Sequence, residues 1–567
     1  MSTDAVPPTG QRLVSVAEMR ALEQAAFARG VAPAALMETA GLGVARVLRR
    51  WLGSRPAGKT PAAPPSRRRT LADETLLYLI GSGNNGGDGL IVARALAPYA
   101  RATRIYLVRD RGDDPLVAAA QAAGAIVQPG TTDAGRNRLA AWLRAASVVV
   151  DAILGIGAAP PLRGPAQEVL AAVRQARRGT WPRTVAVDVP SGIDSDSGRA
   201  DPVAFTADTT ISTGPVKVGL YLPPAAGLVG RIQDVDLELL TAGSAQSDER
   251  LGGAEPACQS SEMQAVVPVS TVLATAPVLA AQLPPRPAAS HKGTFGKALV
   301  VGGCGQYTGA PGLAARAAGR VGAGLVTLGL AASIQPIVGA TLLDATYLPL
   351  PDETPGSLGP QAAVPLLAAA EGYDAVLIGP GLGRAPGVDE FVAAVVRWLA
   401  TGGEQPYGIV VDADALNALA GTAIWSELAP GRCILTPHPG EMARLVGCSV
   451  AEVQAQRVPI AREAAQRWQQ IVVLKGAPTV MAAPDGLVTV LPFANPALAT
   501  AGTGDVLAGT IVGLLAQGVP PHAAARLGVW LHGTAGEHVR AQVGVAGAAA
   551  SDLLPQLPAA IRHLRGG

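Results

Sequence analysis

Short apolar runs recur along this chain, and each one ends in a polar or glycine-rich segment. In the first half they are residues 76–80, 103–108, 147–150 and 184–187. In the second half they are 297–303, 373–378, 408–411, 433–435, 471–474 and 487–491. Continuous apolar runs of this length, rich in Val, Ile and Leu, predict strands buried on both faces of a parallel sheet. Between them lie stretches with helical spacing. Residues 14–41 predict a capped helix ending at Gly30 and the start of a second over about 34–51. Residues 208–221 predict one more strand, 269–283 a helix, and 321–343 a strand followed by a helix from Ala332. Strands alternating with helices predict α/β architecture with mostly parallel sheets.

The length, 567 residues, fits more than one domain. An Ala-, Ser-, Gly- and Glu-rich segment near 241–262 is the expected linker, with one domain over 1–240 and another over 263–567. The Pro- and Arg-rich segment 53–69 lacks apolar period and is expected as an inserted loop. Net charge is only +2, which gives no sign of a nucleic-acid or membrane-surface partner. The four cysteines show neither metal-ligand spacing nor the density of a disulfide framework, and the first ten residues show no secretory pattern. A cytoplasmic protein is expected, and a homo-oligomer.

Candidate chemistry sits where the predicted strands end, since ligands of open parallel sheets bind off the carboxyl ends of the strands. In the first half, GSGNNGGDG joins a strand to a helix, and Asn84, Asn85 and Asp88 add oxygens that suit a hard cation or a ribose. Two Val-rich strands end in Asp151 and Asp188. Each could simply cap a turn; together, beside a glycine-rich loop, they favour a site. In the second half, 499–504 is a small-residue loop with Gly502 and Gly504 expected at positive φ. It runs into Asp505 and an apolar helix, an arrangement suited to a phosphate. Lys475 at another strand end adds a cation, and Asp505 is placed to accept a proton from a hydroxyl. His438, between Pro437 and Pro439, is a candidate substrate contact.

These segments carry a resemblance. HKGTFGKALVVGG, IGPGLG, DADALNAL, TPHPGEMARL, KGAPT and NPALATAGTGDVLAGTIVGLL resemble the ribokinase-like family, and within it the ADP-dependent NAD(P)H-hydrate dehydratases. GNNGGDGLIVAR, DAILGIG, PLRG and VDVPSGID resemble the NAD(P)H-hydrate epimerases, and the order of the halves is that of the bifunctional repair enzymes. The resemblance implies an N-terminal Rossmann-like domain and a C-terminal ribokinase-like domain. The first would interconvert the R and S forms of NADHX and NADPHX, the hydrated cofactors. The second would dehydrate the S form at the expense of ADP, giving AMP and phosphate. It implies catalytic roles for Asp188 and Asp505. It implies substrate contacts from Asn84, Asn85, Gly86, Gly87, Asp88, Gly155, Ile156, Gly157, Gly383 and His438. ADP would be held by Lys475, Gly476, Ala477, Pro478, Thr479, Asn495, Ala501, Gly502, Thr503 and Gly504. A potassium ion would be held by Asn85, Asp151 and Ser191, and magnesium is implied for the second domain. Glu23 stands where the family carries Asp, and the loop GIGAAPPLRG lacks a mid-loop Arg, with Arg163 the candidate stand-in. The competing reading is a vitamin-precursor kinase fused to a non-catalytic Rossmann-like binding module.

Overall fold

The computed structural model describes residues 10–53, 70–237, 270–401 and 408–566. The expected linker, and the expected inserted loop beyond Gly53, lie outside these. The chain divides into two compact units, one over Arg12–Val269 and one over Ser270–Gly567 with residues 1–11.

The N-terminal unit has strands β1 (Gln11–Val14), β2 (Thr75–Ile80), β3 (Ala102–Leu107), β4 (Ile126–Pro129), β5 (Val148–Ala152), β6 (Arg183–Val187), β7 (Thr209–Thr213), β8 (Val216–Lys217) and β9 (Arg231–Val235). Seven of them form a sheet ordered β4-β3-β2-β5-β6-β7-β9, all parallel. The chain leaves β2 in one direction and returns at β5 in the other, so the order reverses between them. Alternate residues of β2 serve opposite faces. Leu76, Tyr78 and Ile80 pack under the helices Val16–Ala28, Pro33–Gly53 and Asn84–Leu96, and Leu77 and Leu79 pack against Asn137–Ala145 and Pro165–Ala176. Ser15 and Glu18 close a capping box on the first helix. The strand expected over 208–221 is two strands, β7 and β8, broken at Gly214, whose φ is +70°. β8 pairs with β1, Val14 opposite Lys217.

The C-terminal unit has β10 (Thr271–Leu273), β11 (Lys297–Val301), β12 (Leu325–Ala331), β13 (Thr346–Leu350), β14 (Ala375–Ile378), β15 (Gly408–Val411), β16 (Cys433–Leu435), β17 (Ile471–Leu474), β18 (Thr479–Ala482) and β19 (Val488–Leu491). Their order is β13-β12-β11-β14-β15-β16-β17-β18-β19-β10. Pairing is parallel except at β17-β18 and β18-β19. Order reverses here between β11 and β14. Residues expected as a helix over 269–283 form β10 and the short helix Ala276–Ala280, because Thr271–Leu273 finds an open partner in β19. The charge-free stretch 321–343 is β12 and a turn of helix. Among the described residues no helix is long and apolar enough to cross a membrane.

The helix Thr503–Ala516 is buried almost throughout and packs on β14, β15 and the helix Gly309–Val321. Two glycines set that approach. A Cβ on Gly509 would lie 2.1 Å from the Ala314 carbonyl oxygen, and one on Gly513 2.7 Å from Ala318 Cα.

Candidate active sites

The N-terminal site is a cavity of about 660 Å³ at the point where strand order reverses. The segments after β2 and β5 form its walls, with Asn84, Asn85, Asp88, Gly155, Ile156, Gly157 and Asp188 on its surface. The helix begins at Asn84, inside the segment expected as a glycine-rich loop. Gly86 and Gly87 are therefore in its first turns and off the cavity wall. They are small for packing: a Cβ on Gly86 would meet the Gly81 carbonyl oxygen at 2.1 Å, and one on Gly87 the Met37 sulfur at 2.6 Å.

Asp151 and Ser191 are buried below the cavity rather than on it. Ser191 donates to Asp151 through both its backbone N–H and its hydroxyl, each at 2.7 Å, and Ile153 N–H donates at 3.1 Å. Burial still pushes the Asp151 carboxyl up to about 6 against these bonds. Asn85 Nδ2 donates to Leu154 O at 2.8 Å, and Leu154 N–H donates to Ser191 Oγ at 2.9 Å. The buried Asn85 Oδ1 has no hydrogen-bond partner. An orphaned amide oxygen beside a buried carboxylate, a hydroxyl and a carbonyl is a set of hard oxygen ligands, which fits an alkali cation.

Asp188 follows β6 in the left-handed region, with φ +64°. Its Oδ1 accepts from Thr213 N at 3.1 Å, Thr213 Oγ1 at 2.7 Å and Lys217 Nζ. Glu23 and Asp88 share this field. Burial raises both, and Lys217 opposes the rise in each. Lys217 and Thr213 escape a reading of the sequence. Lys217 is fully buried, on the strand β8 that pairs with β1.

The C-terminal site is built off β16, β17 and the start of the helix Thr503–Ala516. Gly502 caps that helix at φ +89°. Gly504 is in its first turn, not at positive φ, and its absent side chain leaves room for Lys475 Nζ, 3.4 Å from where a Cβ would be. A cavity of about 210 Å³ is lined by Lys475, Gly476, Ala477, Thr479, Asn495, Thr503 and Gly504, with Phe493, Leu498 and Val529 as its apolar side. Pro478, Ala501 and Gly502 are off its wall. Arg457, also unremarkable in the sequence, holds this loop: its Nη2 donates to the carbonyls of Leu474, Lys475 and Pro478 at 2.9–3.1 Å.

Lys475 Nζ donates to Asp412 Oδ1 at 2.8 Å and lies 3.8 Å from Glu441 Oε2. Burial alone would lower the lysine, but the two carboxylates outweigh it and hold it above its usual value. Burial, then Asp412, pushes the Asp505 carboxyl up to about 7, with Lys475 opposing. Among the described residues nothing donates a hydrogen bond to Asp505. Gly383, at φ +76°, donates its N–H to Asp414 Oδ2 at 2.9 Å, which ties the Gly383 loop to the acid group around Asp505. His438 serves the fold directly. It caps the helix Pro439–Val446, its Nδ1 accepting from Gly440 and Glu441 N–H at 3.0 and 3.3 Å. That bonding requires an unprotonated Nδ1, consistent with a pKa lowered by burial and Lys475. Its ring stays half exposed.

Each half is thus an α/β domain with a cavity at the carboxyl ends of its strands, Rossmann-like in the first half and ribokinase-like in the second: a two-site enzyme of the nucleotide-handling kind. The family described as NAD(P)H-hydrate dehydratase matches residues 298–559, and the YjeF-related protein N-terminus matches residues 33–219. The bifunctional NAD(P)H-hydrate repair enzyme Nnr of Moorella thermoacetica is 37% identical, over 97% of this chain and 97% of that protein. That of Escherichia coli is 33% identical, over 85% of this chain and 84% of that protein. The crystal structure of an ADP/ATP-dependent NAD(P)H-hydrate dehydratase from Bacillus subtilis, co-crystallised with ATP and Mg2+, is 34% identical. It covers 52% of this chain and 98% of that one, with a TM-score of 0.44. The chain belongs to the bifunctional NAD(P)H-hydrate repair enzyme family.

Proposed function

We propose that this chain restores hydrated nicotinamide dinucleotides in two steps, epimerising R and S forms of NADHX and NADPHX in the first domain and dehydrating the S form in the second. The observation that carries the reading is the pairing of a cavity of about 210 Å³ at a helix N-terminus with an unbonded carboxylate, Asp505, in the first turn of the same helix. The N–H of Gly504, at the start of this helix, and the Lys475 ammonium suit the phosphates of ADP. Asp505, with a pKa near 7, takes the proton of the substrate's C6 hydroxyl as its oxygen attacks the β-phosphorus of ADP. AMP leaves. The C6–O bond of the phosphate ester then breaks, releasing inorganic phosphate, and loss of a proton from the adjacent C5 to water restores the ring double bond. Magnesium fits as an ion carried in on the nucleotide. Asp412, Asp414 and Glu441 supply carboxylates nearby, and among the described residues no three-ligand cage exists.

In the first domain Asp188 acts as acid and base at the hydroxyl-bearing carbon, and Asp88, whose carboxyl burial raises well above the usual range, contacts the substrate. Asn85, Asp151 and Ser191 would hold a potassium ion, which would neutralise the buried carboxylate and fix the loop after β5. Epimerisation in sodium or choline buffer is expected to fall by about tenfold or more relative to potassium; equal rates would remove the cation site.

The decisive experiment supplies mixed-epimer NADHX with ADP and follows reduced nicotinamide. Complete recovery with stoichiometric AMP and phosphate is expected. Recovery stopping at the S fraction would remove the epimerase assignment. A stable phosphorylated product would replace dehydration with simple kinase chemistry.

A further inference from the structure

Lys217 is fully buried, yet it stands at the wall of the N-terminal cavity. Its Nζ donates to Asp188 Oδ1, to Ser212 Oγ at 3.2 Å and to Thr213 O at 3.0 Å. All three hydrogen-bond donors to the Asp188 side chain, Thr213 N, Thr213 Oγ1 and Lys217 Nζ, land on the same oxygen, Oδ1. No donor among the described residues reaches Oδ2. The carboxylate also springs from a backbone at φ +64°, a conformation costly for a non-glycine residue and kept at functional sites when surroundings over-determine it.

We infer that Lys217 is the positioning residue of the epimerase site: it clamps Asp188 by Oδ1 so that Oδ2 alone faces the substrate as the proton-accepting atom. The inference rests on the epimerase reading above and goes beyond it in naming the working oxygen and the group that selects it. An ammonium buried for stability alone would be better served by two carboxylate oxygens than by one oxygen shared with Thr213. The lysine is also the one buried cation among the described groups whose charges meet here. Glu23 and Arg20 face the same space from the helix Val16–Ala28, and Asp88 from the helix Asn84–Leu96. Arg20 stands at the exposed rim, with its guanidinium 3.6 Å from where a Cβ on Gly157 would sit. Lys217 therefore gives its direct ion pair to Asp188, while Glu23 and Asp88, which it reaches only at a distance, are raised by burial. Its place depends on the β1–β8 pairing, Val14 opposite Lys217, so the strand that leads into the Arg20–Glu23 helix also seats the clamp.

The test is epimerase kinetics as a function of pH on full-length Lys217→Met, Lys217→Arg and Thr213→Val, with folding checked by thermal denaturation. For Lys217→Met, kcat is expected to fall about 100-fold at neutral pH with KM changed less than about threefold. The acidic limb of its pH profile is expected to move up by about one unit or more, because Asp188 loses its counter-charge. Lys217→Arg, which keeps the charge, is expected to return the limb toward its wild-type position even where its rate stays lower. Thr213→Val removes one Oδ1 donor and is expected to move the limb the same way by less. This second variant decides the matter if Lys217→Met does not fold. Unchanged kcat in Lys217→Met, or an equal loss at every pH with the limb in place, would overturn the inference. So would an unmoved limb in Thr213→Val. If wild-type protein epimerises nothing, it is the functional reading that fails instead.

Discussion

Asp505→Asn is expected to lose dehydration by roughly 1,000-fold while still binding ADP, because it removes a base and leaves the shape and the phosphate donors untouched. The carboxylate has no hydrogen bond to lose among the described residues, and the lining of the nucleotide cavity does not include it. Turnover measured against ADP concentration checks this: kcat should collapse and ADP affinity by calorimetry should hold. Wild-type turnover should rise with pH through about 7, since the group must be ionised to act and burial raises its pKa to about 7. Stability should run the other way. A carboxyl raised in the folded state stabilises the fold below its unfolded value, and that contribution is lost as pH rises through the folded value. Above pH 7 the ligand-free Asn variant should thus melt higher than wild type, and near pH 4 the two should coincide. A variant that retains turnover would take Asp505 out of the chemistry.

Lys475→Met is expected to fail on two counts. Asp412 is 1% exposed and its Oδ1 is paired with this ammonium. Removing one partner of a buried pair leaves the other uncompensated, which costs about 3 kcal/mol. Thr436 Oγ1, 2.7 Å from the same oxygen, retains only part of the compensation. Catalysis should fall as well, because the cation at the phosphate end is gone and because Lys475 is what opposes the rise of both Asp505 and Glu441. Without it both carboxyls titrate higher, so residual turnover should appear only above neutral pH. Chemical denaturation and a pH–rate profile on the same sample test the two arms. Lys475→Arg separates them, as it keeps charge but not the fit against Gly504.

The framework of both domains was legible because central parallel strands are apolar on both faces, as in Val148–Ala152 and Ile471–Leu474. Their carboxyl ends were legible too: Asp188, Lys475 and the segment before Asp505 all lie at cavities the sheets create. Edge strands were not. Ile126–Pro129, Thr346–Leu350 and Arg231–Val235 carry exposed and polar positions, and nothing in their composition separates them from loops. Glycines misled in one direction. Gly86 and Gly87 read as loop residues but are helical, because tertiary packing against Gly81 and Met37 needs them small. His438 reads as a candidate substrate contact in the sequence; its imidazole also caps a helix, a role invisible until Gly440 and Glu441 N–H are seen converging on its ring. The residues missed altogether, Lys217, Thr213 and Arg457, act through long-range partners that no local pattern encodes.

The glycine seam between the helices Gly309–Val321 and Thr503–Ala516 has a mechanical consequence. With main chain against main chain at Gly509 and Gly513, the rod that carries Asp505 has no slack to slide or roll. Asp505 is thereby registered against the helix Gly309–Val321, a stationary fulcrum, rather than against a loop.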